Sequence, residues 1–224
     1  MKSDHDLPAF LKKRVLLFQG IDAALIARVA AAASTSSYAP GAFLCRAGEP
    51  ARHVWVLLEG LVCVNRCTWK GGRVNIEIMV PGDAFGLPAL SHWAYPSDIQ
   101  APRPSLVAAI PRRALLDEMT RQPKLAQRVV SIVAQRLDFV ESQLFLAREP
   151  VERRLAAALL YLSRKFGPSV PMTSAEIGEM AQTTPETAMR KLKILERAGI
   201  LRRRRGCVEI ADARALEART RETA

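Results

Sequence analysis

From Pro123 to Pro150 no glycine or proline interrupts the chain, and Ala126, Val130, Val133, Leu137, Val140, Leu144 and Ala147 recur at 4-3-4-3-4-3 spacing. That period is the seam of a coiled coil, and here it persists over three heptads. A second apolar row, Leu125, Val129, Ile132, Phe139 and Leu146, shares the stretch. A helix with two apolar rows can pack one on its own domain and offer the other to a partner helix. The pattern predicts a dimerisation helix over residues 121–148, with Ala126, Val130, Val133, Leu137, Val140 and Leu144 as its seam. The competing reading is one helix buried in its own domain.

The segments on either side follow different periods. Between about 38 and 111, short apolar runs alternate with turn signals: His53 to Leu58 closes at Glu59-Gly60, and Leu61 to Trp69 at Lys70-Gly71-Gly72. Val74, Ile76, Ile78 and Val80 share one strand face before Pro81-Gly82-Asp83, and Leu106 to Ile110 stops at Pro111. Short strands with Gly/Pro turns argue for an antiparallel barrel or sandwich. Residues 1–120 are therefore expected to form a β domain with flanking helices, one of them over Arg112–Met119. Beyond Pro150 the pattern is helical again, with Leu155, Leu159, Leu162 and Phe166 as one stripe, and 149–224 is expected to fold as a separate small domain. The fold class is α+β.

Charge narrows the partner. The 224 residues carry a formal net charge of +11, and residues 185–205 hold 8 basic and 2 acidic side chains. Such asymmetry points to a localised polyanion-binding surface, against the blander reading of a solvated basic face. The N-terminus has Asp4 and Asp6 where a secretory signal would be basic, and Ala23–Ala33 is too short to span a bilayer. We expect a cytoplasmic protein with no membrane partner and reduced thiols. Cys45, Cys63, Cys67 and Cys207 form no CxxC, so an iron–sulfur cluster is not expected. Cys63 and Cys67 are expected as two small buried side chains on one strand face, the alternative being a redox pair.

The basic end has the order of a helix-turn-helix. Thr173-Ser-Ala-Glu176 fits a capping box. After a turn, Thr184 suits an N-cap and Pro185 the first helical position, and Gly199 can end the second helix. Ala188, Leu192 and Leu195 share the inner face, and Glu186, Met189, Arg190 and Lys193 the outer. Arg190 can fork onto guanine O6 and N7, and Glu186 can accept from cytosine N4. The plain alternative for these two is an exposed i,i+4 ion pair. Lys191 and Lys193 are placed for phosphate. Leu201 to Gly206, returning through Cys207 to Ile210, reads as a wing whose Arg202, Arg203, Arg204 and Arg205 would hold the DNA backbone. With Thr173, Thr184 and Thr187, these residues form the expected interface with double-stranded DNA. A dimer would read an inverted repeat.

The chain resembles the cyclic-AMP receptor protein/FNR (CRP/FNR) family of bacterial transcription regulators from about residue 15 to 218. Three stretches carry the likeness. They are Pro40-Gly41 through Arg46-Ala47-Gly48-Glu49-Pro50 to Val56-Leu57-Leu58-Glu59-Gly60, then Pro81-Gly82-Asp83-Ala84-Phe85-Gly86, and Thr184-Pro185-Glu186-Thr187-Ala188-Met189-Arg190. The resemblance implies an N-terminal antiparallel β-roll of jelly-roll, cyclic-nucleotide-binding-like form, a long dimerisation helix and a C-terminal winged helix-turn-helix. It implies an effector at the roll that changes DNA affinity, and RNA polymerase is a further candidate partner.

Three departures bear on mechanism. Cyclic-nucleotide binders of this family have Gly-Glu after the turn and then Arg-Ser or Arg-Thr for the cyclic phosphate. Here Leu87-Pro88 follows Gly86, and Asp98-Ile99-Gln100 stands at the phosphate stretch. A carboxylate there repels phosphate, so cyclic AMP is not the expected effector. The candidate effector pocket is Gly86, Leu87, Pro88, Ala89, Leu90, Asp98 and Gln100, with Trp93 and Tyr95 nearby. The iron–sulfur members' N-terminal cysteines are absent. Second, Gln182 stands where the family usually has Gly in the helix-turn-helix turn. Third, Pro185 and Met189 replace a basic residue and a Ser at the base-reading face. A haem-based gas or redox sensor remains an alternative through His53 or His92. A metal-dependent enzyme on a cupin-like barrel is a weaker one, because His5, His53 and His92 form no His-x-His. No catalytic or metal-ligating residue is expected.

Overall fold

The computed structural model describes residues 6–67 and 73–221. The predicted turn at Lys70-Gly71-Gly72, Trp69 and His5 lie outside the described residues. The chain forms two compact units, Met1–Leu137 and Asp138–Ala224.

In the first unit, α1 (Leu7–Arg14) and α2 (Ala23–Ala32) start at Asp6 and Asp22, whose carboxylates accept from the Ala9 and Ala24 amides. Eight strands follow: β1 (Ser34–Tyr38), β2 (Phe43–Cys45), β3 (His53–Glu59), β4 (Val62–Cys67), β5 (Arg73–Met79), β6 (Ala84–Phe85), β7 (Asp98–Gln100) and β8 (Ser105–Pro111). They pair antiparallel in two four-stranded sheets, ordered β1-β8-β3-β6 and β2-β7-β4-β5. Then come α3 (Arg112–Arg121) and α4 (Pro123–Leu146). β3 is buried from Val54 through Leu58 without alternation, because both its faces are covered. The same buried core includes Leu25, Ile26 and Val29 of α2 and Leu115 of α3. Trp55 lies centrally, its ring centroid 5.8 Å from Phe85 and 4.8 Å from Tyr95.

One ion-paired carboxylate and one close glycine constrain this unit. Glu118, buried on α3, accepts from Arg28 of α2 at 2.8 and 2.7 Å and from Arg121 at 2.6 Å. The Arg28 hydrogen bond holds its carboxyl below the usual carboxylate range. Gly60, between β3 and β4, has φ +92°, and a Cβ there would run into Pro104 O and Ser105.

Two sequence expectations change here. β4 and β5 shift register between Val64 and Asn65. This bulge interrupts the alternation, so Cys63 is buried while Cys67 is exposed, and the two do not form the expected buried pair. On β5 the apolar row runs from exposed Val74 through Ile76 to buried Ile78, rather than facing the core throughout.

α4 is 24 residues long, Pro123–Leu146, and falls inside the expected span 121–148. Leu125, Val129 and Ile132 join the core of the first unit. Val130, Val133, Leu137, Val140 and Leu144 are exposed, with Val130 at 67% and Leu144 at 68%. Arg136 faces the roll instead. It donates to Ala84 O at 2.8 Å and lies 3.2 Å from the Glu77 carboxylate.

The second unit contains the end of α4, α5 (Val151–Phe166), β9 (Ser169–Val170), α6 (Ser174–Met180), α7 (Pro185–Arg197), β10 (Leu201–Arg204), β11 (Cys207–Ile210) and α8 (Ala213–Arg221). Leu155, Leu159 and Leu162 of α5 are buried, as are Ile177, Ala188, Leu192, Leu195 and Leu216. Glu152 of α5 pairs with Arg219 of α8 at 3.1 Å, and Arg153 donates to Thr220 O at 2.6 Å. Among the described residues, no helix is long and apolar enough to cross a membrane.

Candidate nucleic-acid interface

The helix-turn-helix is built by local caps. Thr173 Oγ1 accepts from the Glu176 amide at 3.2 Å, and the Glu176 carboxylate accepts from the Thr173 amide at 2.7 Å. Thr184 Oγ1 accepts from the Thr187 amide at 3.3 Å and donates to the Thr187 hydroxyl at 3.2 Å. Pro185 takes the first turn of α7, where its missing N–H costs nothing. α6 and α7 approach closely at Gly178, where a Cβ would stand 2.7 Å from that of Ala188. The sequence reading did not single out Gly178; a glycine inside an amphipathic helix was its signal.

The turn between these helices holds Gln182 at φ +51°, the one non-glycine residue with positive φ among the described residues. Arg154 of α5 donates to its carbonyl at 3.0 Å. A left-handed non-glycine residue costs about 1 kcal/mol. Gln182→Gly is therefore expected to raise stability by up to ~1 kcal/mol, read as a higher urea midpoint at unchanged slope.

The outward row of α7 is as predicted: Glu186, Met189, Arg190 and Lys193 are exposed, and Ala188, Leu192 and Leu195 are buried behind them. No ion pair joins Glu186 to Arg190 among the described residues, which leaves both groups available to a ligand. Lys191 departs from expectation. It turns back to Glu152 of α5 at 3.5 Å rather than outward for phosphate.

The wing also divides its arginines. In the β10–β11 ladder Leu201 opposes Ile210, Arg202 opposes Glu209, Arg203 opposes Val208 and Arg204 opposes Cys207. Side chains alternate between faces, so Arg203 shares the inner face with buried Leu201 and Val208. There its guanidinium meets Glu196 of α7 at 2.9 and 2.7 Å, and its amide donates to the same carboxylate at 3.0 Å. Arg203 is thus a clasp between α7 and the wing, not the phosphate contact predicted from the run of four. These bonds, led by the Arg203 side chain, hold the Glu196 carboxyl below its usual range. The clasp is therefore complete at neutral pH and is lost as pH falls through that depressed value. Arg202, Arg204 and Arg205 remain exposed.

At the roll, Gly86 is left-handed, and a Cβ would stand 2.5 Å from the Trp55 ring. Leu87 and Ala89 are buried in the core, Pro88 and Leu90 partly so. Asp98 accepts from the Ala47 amide at 2.8 Å, and Gln100 donates to Gly41 O at 2.7 Å. Both polar side chains of the candidate pocket are thus bonded to backbone. Trp93 is 88% exposed and Tyr95 buried, its hydroxyl bridging His53 N and O. Burial lowers the His53 pKa and pushes the Cys45 thiol up to about 12, leaving it protonated. Among the described residues no group of three His, Cys, Asp or Glu could hold a metal ion.

Comparison with known proteins divides the chain as its architecture does. The family described as cyclic nucleotide-binding domain matches residues 35–122, and the Crp-like helix-turn-helix domain matches 153–219. An anaerobic regulatory protein of Pasteurella multocida is 29% identical over 167 residues, 70% of this chain and 61% of that protein. A fumarate and nitrate reduction regulatory protein of Vibrio cholerae is 28% identical over 170 residues, 72% of this chain and 68% of that one. The structure of FixK2 from Bradyrhizobium japonicum superposes with a TM-score of 0.79 at 23% identity, covering 86% of this chain and 99% of that one.

Proposed function

The chain belongs to the CRP/FNR family of transcription regulators, and on that premise we propose that it is a homodimeric, sequence-specific DNA-binding regulator whose roll takes an effector other than cyclic AMP. One observation carries the DNA reading: a capped α7 exposes Glu186, Met189, Arg190 and Lys193 above a buried apolar back. This is the chemistry a recognition helix presents to a major groove. Two such helices related by a two-fold axis would enter grooves about 34 Å apart. The exposed seam of α4 supports the dimer, and Asp98 at the phosphate stretch argues against a cyclic nucleotide.

Selection from random DNA is expected to return an inverted repeat with a G·C pair read by Arg190 and Glu186 in each half-site. Arg190→Ala is expected to cost about 1–3 kcal/mol and relax preference at that pair. Pools with no palindrome, or an Arg190→Ala variant with unchanged preference, overturn the reading.

A further inference from the structure

We propose that Glu209 is a built-in competitor for DNA phosphate on the wing. The proposal rests on the reading of α7 and the wing as a DNA interface. Arg202 and Glu209 are cross-strand partners, and Arg204 lies two residues along on the same face. The Glu209 carboxylate places one oxygen 4.0 Å from the Arg202 guanidinium and the other 3.9 Å from that of Arg204. A single anion thus sits between two guanidinium groups, the position a backbone phosphate would take.

These contacts are too long for hydrogen bonds. Arg202 and Arg204 are 70% and 77% exposed, so the pairs are loose and solvated. A phosphate approaching to 2.7–2.9 Å makes charge-assisted bonds that the carboxylate does not make here. Glu209 cannot leave the face, because its backbone is held between β10 and β9. Its charge stays within a few ångströms of the incoming phosphate, well inside the roughly 10 Å screening length of 0.1 M salt. With Arg203 already committed to Glu196, the wing offers DNA three arginines less one carboxylate. Glu209 thereby weakens backbone attraction on every sequence and leaves discrimination to α7.

The test uses the full chain and two duplexes of equal length, a selected operator and a random sequence, titrated by fluorescence anisotropy from 50 to 200 mM salt. Glu209→Gln is expected to bind both duplexes roughly five- to tenfold tighter near 0.1 M salt, with a log–log salt slope steeper by about one. Asp117→Asn makes the same charge change on an exposed residue of α3 and is expected to stay within twofold of wild type. Wild-type binding with a Glu209→Gln variant no tighter overturns this proposal alone. So does an Asp117→Asn variant that gains as much, since the effect would then be net charge. Wild type that binds neither duplex overturns the DNA reading, and this proposal with it.

Discussion

Replacing Leu137 and Leu144 together by Glu is expected to leave a folded monomer that has lost operator binding by two orders of magnitude or more. Both side chains are exposed in the single chain, so neither substitution removes a core contact. In a two-helix seam, each Leu would bury apolar surface worth about 1.5–3 kcal/mol, and the dimer would contain each twice. The variant exchanges that gain for carboxylates facing one another. A regulator that reads two half-sites then loses the effective concentration that links them. Sedimentation and circular dichroism separate the outcomes. Unchanged helix content with half the mass supports the seam, and an intact dimer removes it from the interface.

Gly60→Ala is expected to cost the first unit about 3 kcal/mol or more. Two effects add. At φ +92° any L side chain is strained by roughly 1–2 kcal/mol. The new Cβ also meets Pro104 O and the Ser105 hydroxyl, with Ser105 Cα only 2.7 Å away. These neighbours are backbone and a buried hydroxyl that accepts from the Leu61 amide at 3.1 Å, so none can move aside cheaply. Overpacking of this kind costs about 1–3 kcal/mol more. Gly41→Ala is the comparison: φ is +82° but the space is open, so only the first cost applies. Urea unfolding of both variants should rank Gly60 well above Gly41; equal midpoints would mean that β3 and β8 yield easily at this corner.

What could be read before the structure was local chemistry. Thr173, Glu176, Thr184 and Pro185 announce helix starts because caps act over three residues, and Gly206 between two β-rich runs announces the wing. What escaped depends on partners distant in sequence. Four consecutive arginines look equivalent until the strand register turns Arg203 toward Glu196 and Arg202 toward Glu209. Lys191 looks like a phosphate contact until α5 brings Glu152 beside it. A bulge at Val64 and Asn65 leaves no mark in the spacing of Cys63 and Cys67. The effector end was legible only as departures from a pattern, because Leu87 and Ala89 are as apolar in a core as in a pocket.

The Arg136 contact with Ala84 O and Glu77 has a mechanical consequence. Its helix, 24 residues long, is a stiff rod of roughly 36 Å. Tilting such a rod by 5° about one end sweeps the other through about 3 Å, the full length of a hydrogen bond. Arg136 ties that rod to the last residues before Gly86, the turn that closes over Trp55. Arg136 lies one turn beyond Leu125, Val129 and Ile132, the buried residues of α4, so the segment before Gly86 grips the helix at the point where it leaves the core of the first unit.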